Sequence, residues 1–380
     1  MSQFTTPCSV YRGGTSRGLF FRADALPVDE KLRDNIFLRG IDSYNPSQVD
    51  GLGGTTSSTS KVCVVGPASV EGADVDWTFY QLGLANPVVD GKGTCGNLMA
   101  AVGAFAIDEG FVKVDAEATE VELRVYNCNI KKIICMTVPV KNGVAEENGD
   151  YIVPGIVNPG AKIEVSIMNP GGEITGKLLP LGAQTSVTTL KKSYDITLTD
   201  LINPFVFVAA GDLGLSGAEA SAAVAADEAL IEELNTIRDK VSVKVGIAAD
   251  EHEARYKKPN IPKIAFLAPA QTYVTQSGEK IQKEQVDILC KVISSGKLHK
   301  TCPASGLYNI AATCLVAGTM PNRLAGFSGR EKSRMVRVGH PGGVVEVVVK
   351  LNDDLLSVSG VGMDRTARRI MKGEIYTPEE

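Results

Sequence analysis

Gly93-Thr94-Cys95-Gly96-Asn97-Leu98-Met99-Ala100-Ala101-Val102-Gly103-Ala104-Phe105-Ala106-Ile107-Asp108-Glu109-Gly110 is the stretch from which the fold can be read. From Asn97 to Glu109 it predicts a helix that is apolar nearly all round, and such a helix is buried on every side. Gly110 ends it as a C-cap does. The turn that opens it is made of small residues around one cysteine. The second half of the chain repeats the arrangement: Thr301-Cys302-Pro303-Ala304-Ser305-Gly306 leads into an Ala-rich apolar helix, Ser305–Val316.

Short β-rich runs surround both helices. Ser9–Tyr11, Leu19–Phe21, Lys61–Val65, Trp77–Gln81 and Val121–Asn127 read as strands in the first half, with a helix over Asp29–Arg39. In the second half Phe205–Ala210, Lys263–Leu267, Met335–Val338 and Val344–Leu351 read as strands, and Gly217–Lys240 as one long helix. The segment Pro154–Gly182 is rich in Gly and Pro and reads as a crossover. With 380 residues the chain exceeds the ~250–300 at which a single core stops growing, so two domains are expected. They are placed at residues 1–182, completed by 365–380, and at 183–364.

Composition narrows the function. The net charge is −5 and no basic block stands out, which argues against nucleic acid as a partner. The apolar runs have the length of strands, so no membrane span is expected. The N-terminal residues lack the basic and apolar regions of a secretory signal. Eight cysteines without CxxC pairs fit a reducing cytoplasm better than a disulfide framework. The three histidines, His252, His299 and His340, are too scattered to suggest a metal site.

Several loops carry chemistry. The N-terminus of a helix has unsatisfied N–H groups and the positive end of a dipole. Two such ends facing one cleft make a carboxylate site, with a cysteine thiol beside it. Cys95 sits in a Gly-rich turn where core packing does not require it. Lys61 closes Gly53-Gly54-Thr55-Thr56-Ser57-Ser58-Thr59-Ser60, a run of hydroxyls and glycines suited to an anion. It is not a phosphate loop, which needs Gly before the Lys and Ser or Thr after it. Arg12-Gly13-Gly14-Thr15-Ser16-Arg17-Gly18 reads equally as a hairpin loop or a carboxylate-binding loop. Gly211-Asp212-Leu213-Gly214-Leu215-Ser216-Gly217 has the wrong glycine spacing for a dinucleotide and reads as a strand-to-helix turn or a carboxylate contact. His299 shares a loop with Cys302, whereas His340 reads as part of a turn.

Six of these stretches, in order along the whole chain, resemble the PrpF family of methylaconitate isomerases and their relatives. They are Arg12–Gly18, Asp50–Lys61, Gly93–Gly110, Leu298–Gly306, Val336–Gly343 and Arg365–Tyr376. The resemblance implies an α+β, diaminopimelate-epimerase-like fold of two similar domains. In that fold each β-sheet wraps a central helix and the active site lies in the interdomain cleft. It implies no metal, no pyridoxal phosphate and no nucleotide. Lys61 and Cys95 map onto the family's acid/base pair. Ser16 maps onto its GGTS loop and His299 onto its LHK motif. Thr15, Arg17, Ser60, Gly96, Asn97, Ser305 and Gly306 complete the expected binding set.

Three positions depart from the family pattern. Arg17 stands where Lys is usual, Thr94 where Asn is usual, and Cys302 where Tyr is often found. The expected reaction is a shift of a C=C bond by allylic proton transfer in a small unsaturated di- or tricarboxylic acid. 2-Methylaconitate, aconitate, 3-methylitaconate and 4-oxalomesaconate all suit it. Two rivals stand beside it: a two-cysteine epimerase using Cys95 and Cys302, and a non-catalytic protein that binds an aconitate-like acid. A homodimer is the common arrangement for such chains.

Overall fold

A computed structural model describes residues 3–378 apart from 154, 260 and 295. Its contacts divide the chain into two compact units, Met1–Met168 with Asp364–Glu380, and Asn169–Met363. The strands of the first unit longer than two residues are β1 (Gln3–Gly13), β2 (Ser16–Arg22), β3 (Lys61–Pro67), β4 (Val75–Leu82), β5 (Glu120–Asn127), β6 (Lys132–Lys141) and β7 (Glu164–Met168). Its helices are α1 (Glu30–Ile41) and α2 (Met99–Asp108). The second unit holds β8 (Thr185–Thr188), β9 (Ser193–Asp200), β10 (Pro204–Ala209), β11 (Lys263–Pro269), β12 (Ile288–Ser294), β13 (Ser333–His340), β14 (Gly343–Leu351) and β15 (Val358–Gly362). Helices α3 (Ser221–Ala226), α4 (Glu228–Lys244), α5 (Ala304–Leu315) and α6 (Met320–Ala325) belong to it. A last strand, β16 (Ala367–Pro378), returns to the first unit and pairs antiparallel with β1 from Gln3↔Pro378 to Gly13↔Ala367.

The two units share one plan. In the first, the hydrogen-bonded order is β16-β1-β2-β3-β4-β5-β6-β7. In the second it is β8-β9-β10-β11-β12-β13-β14-β15. Each sheet contains two parallel pairs, β2–β3 and β4–β5 in one, β10–β11 and β12–β13 in the other. A parallel pair needs a long crossover, usually helical. Here α1 and α2 serve the first unit. In the second, α3 with α4 makes the first crossover and α5 with α6 the second.

Burial separates an inner helix from an outer one. Nine residues of α2, Met99–Ile107, are buried, and so are Gly306–Leu315 of α5. Tyr11, Phe20 and Phe105 stack on one another on the inner side, with ring centroids 5.1–5.8 Å apart. The outer helix α1 packs Ile36, Phe37 and Ile41 on Val10, Leu19, Phe21 and Val62. In the second unit α4 packs Leu234, Ile237 and Val241 on Val206, Val208, Ile264 and Phe266. The first sheet nearly closes around α2. Ile163, just before β7, and Arg365, just before β16, exchange both backbone hydrogen bonds at 2.7 and 2.9 Å.

Three readings of the sequence change. Gly217–Lys240 is not one helix: α3 stops at Ala226, and Asp227 caps α4 by accepting from the Leu230 N–H. The stretch read as a crossover contains β7, whose alternating burial (Val165 and Ile167 inward) marks a strand. Pro154, at its start, lies outside the described residues. The unit boundary falls at Met168/Asn169 rather than at 182, because residues 172–178 are tied to β9. The N–H groups of Ile174 and Thr175 donate to Asp200 Oδ2 at 2.8 and 2.6 Å, and the Asp200 N–H donates to the Leu178 carbonyl at 2.8 Å. Among the described residues, no helix is long and apolar enough to cross a membrane.

Candidate active site

The fold brings three loops of the first unit together at the opening of α2. The β1–β2 turn carries Thr15 and Ser16, the α2 turn carries Cys95 and Asn97, and the approach to β16 carries Arg365. Ser16 Oγ lies 3.9 Å from Cys95 Sγ, and both residues are buried. Asn97 Nδ2 donates to Thr15 Oγ1 at 3.1 Å and lies 3.5 Å from Ser16 Oγ. Arg365 Nε donates to Asn97 Oδ1 at 3.2 Å. That bond fixes which end of the Asn97 amide faces the hydroxyls. The turn can pack this tightly only because Gly13 lacks a Cβ, which would sit 2.6 Å from the Asn97 carbonyl oxygen. Gly14 has φ +49°, in the left-handed region, and rests against the Asn97 side chain.

Thr94 departs from the resembled pattern, yet its hydroxyl is employed. It accepts from Nδ2 of the fully buried Asn127 at 2.9 Å. Asn127 Oδ1 in turn accepts from the N–H groups of Asn129 and Ile130. The cysteine turn is thus braced from the end of β5.

Lys61 opens β3 directly opposite Gln81 on β4. Its Nζ donates to Gln81 Oε1 at 2.6 Å and lies 5.1 Å from the centre of the Phe79 ring. Cys63 points to the same face as Lys61, two residues on. Burial pushes the Cys63 thiol well above its usual range; nearby Cys95 adds to the shift and Lys61 opposes it.

Two glutamine amides pin the hydroxyl-rich loop before Lys61. Gln81 Nε2 contacts the carbonyls of Ser60, Ser57 and Leu82 at 2.8, 3.1 and 3.3 Å. Buried Gln48 accepts at Oε1 from the Thr55 N–H at 2.7 Å and from Ser60 Oγ at 3.0 Å. Thr55 holds φ +63°, an uncommon value for a β-branched residue and a strain found most often at functional sites. Ser60 was expected in the binding set. It is fully buried, with its hydroxyl donating to Gln48 and to the Thr56 carbonyl, so it braces the loop instead. Arg17 Nη2 donates to the Leu52 and Gly53 carbonyls at 3.1 Å each and holds the Gly-rich end of the same loop.

The expected residues of the second unit are arranged differently. His299 Nδ1 is 2.9 Å from the Thr301 carbonyl oxygen and 3.1 Å from the Thr301 N–H nitrogen. His299 lines a cavity of about 830 Å³ together with Ala218, Ser221, Tyr273, Thr275 and Leu298. His340, at the end of β13, is buried, and its Nδ1 accepts from the Gly342 N–H at 3.0 Å. Burial, with a smaller repulsion from His299, pulls its pKa down to about 4. Cys302 is buried, its Sγ lies 3.6 Å from the Pro303 carbonyl oxygen, and desolvation, with nearby Cys290 adding to it, holds the thiol well above the usual range. Its sulfur would be 2.9 Å from a Cβ at Gly306, so Gly306 is buried packing beneath Cys302. The Ser305 carbonyl accepts from Asn309 Nδ2 within α5 at 2.6 Å.

The loop at 211–217 is a strand-to-helix turn. Its Ser216 and Gly217 N–H groups donate to the carboxylate of Glu219, so a side chain of the chain itself occupies those donors. Among the described residues no group of three or more His, Cys, Asp or Glu is placed to hold a metal ion. Gln81, Gln48, Asn127 and Arg365 were missed by the sequence reading. Gln81 and Asn127 each ended a predicted strand and Arg365 opened the last of the six matching stretches, whereas nothing marked Gln48.

Comparisons with known proteins show the family of the chain. A family model described as "PrpF protein" matches residues 3–378. The chain is 38% identical over 376 residues to a 3-methylitaconate isomerase of Eubacterium barkeri, covering 98% of this chain and 97% of that one. It is 34% identical over 397 residues to a 2-methyl-aconitate isomerase of Shewanella oneidensis, covering 99% and 98%. A crystal structure of a methylitaconate-delta-isomerase superposes with a TM-score of 0.91 at 36% identity, over 99% of this chain and 96% of the other.

Proposed function

The chain belongs to the PrpF family, and from that membership we propose that it is an isomerase that moves a C=C bond in a small unsaturated di- or tricarboxylic acid. 2-Methylaconitate, aconitate, 3-methylitaconate and 4-oxalomesaconate are the candidate substrates. One observation carries the reading most strongly. Lys61 lies against a neutral amide, while Cys95 sits at the opening of α2 among hydrogen-bonding groups.

The chemistry follows from the acidity of a C–H next to the unsaturated acid. Lys61 takes the allylic proton, and the electron pair left behind spreads into the carboxylate as a dienolate. Cys95 gives a proton to the other allylic carbon, which completes a 1,3-shift of the double bond. Rotation in the dienolate before that step exchanges cis and trans isomers. Ser16, Thr15 and Asn97, with the N–H of Gly96, donate to substrate oxygens and stabilise the charge as it develops.

The rival two-thiol epimerase gains no support. It needs Cys302 as an acid/base, and that thiol is buried against Gly306 and held well above the usual thiol range by desolvation. The test is turnover in deuterated water. Each of the four acids is incubated with the protein, and ultraviolet absorbance of the conjugated product reports conversion. The product of an allylic shift carries solvent deuterium at the carbon that receives the proton. Conversion without label, and without an isotope effect on a substrate deuterated at the γ-carbon, overturns the proton-shift mechanism.

A further inference from the structure

We infer that Gln81 is a positioning residue for Lys61, fixing the amine while supplying no counter-charge. The inference rests on the reading of Lys61 as the base. It starts from the sheet. Lys61 and Gln81 are cross-strand partners, and Phe79 lies two residues before Gln81 on the same face of β4. A lysine side chain is long and loses considerable rotamer freedom when held in one place. Here it is held at two points, by the amide oxygen at 2.6 Å and by the Phe79 ring at 5.1 Å.

The amide cannot turn over. Its Nε2 faces three backbone carbonyls, of Ser57, Ser60 and Leu82. Reversed, its oxygen would face those three acceptors, and its NH2 would face the lysine nitrogen. The hydrogen-bond pattern therefore admits one orientation, with Oε1 toward Nζ. An amine that donates one N–H to that oxygen keeps its lone pair directed elsewhere, as a base requires.

The same carbonyls explain why the residue is Gln and not Glu. A carboxylate here would meet three oxygens with no hydrogen to offer them. It would also favour the ammonium form of Lys61, which cannot accept a proton. The carbonyls thus select an amide, and the amide leaves the lysine free to exchange its proton.

The experiment is the pH dependence of kcat/KM for wild type, Gln81→Glu, Gln81→Leu and Lys61→Ala, with whichever candidate acid turns over fastest. Wild type is expected to show a rising limb that is missing from the residual activity of Lys61→Ala. In Gln81→Glu, which keeps the shape of the side chain, the limb moves up by about one to three pH units and much of the rate returns above it. Gln81→Leu loses kcat by about tenfold to a hundredfold, with KM within about threefold of wild type. A Gln81→Glu limb coincident with that of wild type, beside an inactive Lys61→Ala, overturns the role of Gln81 and leaves the base in place. A Lys61→Ala enzyme with wild-type rate and limb overturns both. The Glu variant decides the matter even where the Leu variant does not fold.

Discussion

Arg365 reaches back across 268 residues of sequence to hold Asn97, with Nε donating to Oδ1 at 3.2 Å. The same residue closes the first sheet through its backbone bonds to Ile163. The bridge between the two ends of the first sheet and the orientation of a site amide therefore depend on one position. Arg365→Met keeps the backbone bridge and frees the Asn97 amide to rotate. We expect kcat/KM to fall by about tenfold or more, since hydrogen bonds to charged groups contribute roughly 1.5–3 kcal/mol. Steady-state kinetics beside a thermal melt separate this from loss of the fold; unchanged kinetics would show that Asn97 needs no such anchor.

Lys61→Ala should remove turnover while leaving the protein folded. A general base typically contributes ~10²–10⁴-fold, so a residual rate above about a tenth of wild type would falsify its role. Circular dichroism and melting of the purified variant verify the fold.

Cys95→Ser should be far more damaging than Cys302→Ser. The first thiol lies by Ser16 in the α2 turn, whereas the second is packed on Gly306 with its sulfur 3.6 Å from the Pro303 carbonyl oxygen. We expect a loss of at least about a hundredfold for Cys95→Ser. Cys302→Ser should show chiefly a lower melting temperature. Equal and severe kinetic losses in the two variants would restore the two-thiol epimerase.

His340 should make the fold sensitive to mild acid. Its folded pKa is about 4, below the ~6.5 of an exposed histidine, because burial and His299 oppose its charge. Between these values the unfolded chain binds a proton that the folded one does not. Stability therefore falls as pH drops from about 6.5 towards 4 and levels off below that, by about 3 kcal/mol at most. Urea unfolding at several pH values will measure the slope. His340→Asn keeps an acceptor near the Gly342 N–H and should flatten that slope; an equal slope in the variant would place the sensitivity elsewhere.

Much of this architecture could be read because it rests on local patterns. The buried helices α2 and α5 were visible as all-round apolar runs, and their cysteine-bearing turns marked where each begins. The family resemblance brought the central-helix plan with it. What stayed hidden depends on pairing over long distances. Nothing near Arg365 in the sequence says that it meets Asn97, and nothing in the hydroxyl run says that Ser60 turns inward to Gln48. Gln81 stood at the end of a correctly read strand, but strand pairing alone sets it opposite Lys61. β7 went unread because its five residues lie in a Gly- and Pro-rich stretch whose composition outweighs a short alternation.

The long pairing of β1 with β16 also sets an order of assembly on the ribosome. β1 is translated before the whole second unit, and β16 after it. One edge of β1 must therefore wait, with its N–H and C=O groups open, while about 350 residues are made. Such an open edge is a template for pairing with another chain. The second unit, being continuous, can complete its sheet first and the discontinuous unit closes last. Slowed elongation late in the message, or a stop before β16, would prolong the exposure of β1 and lower the soluble yield without altering a single residue of the site.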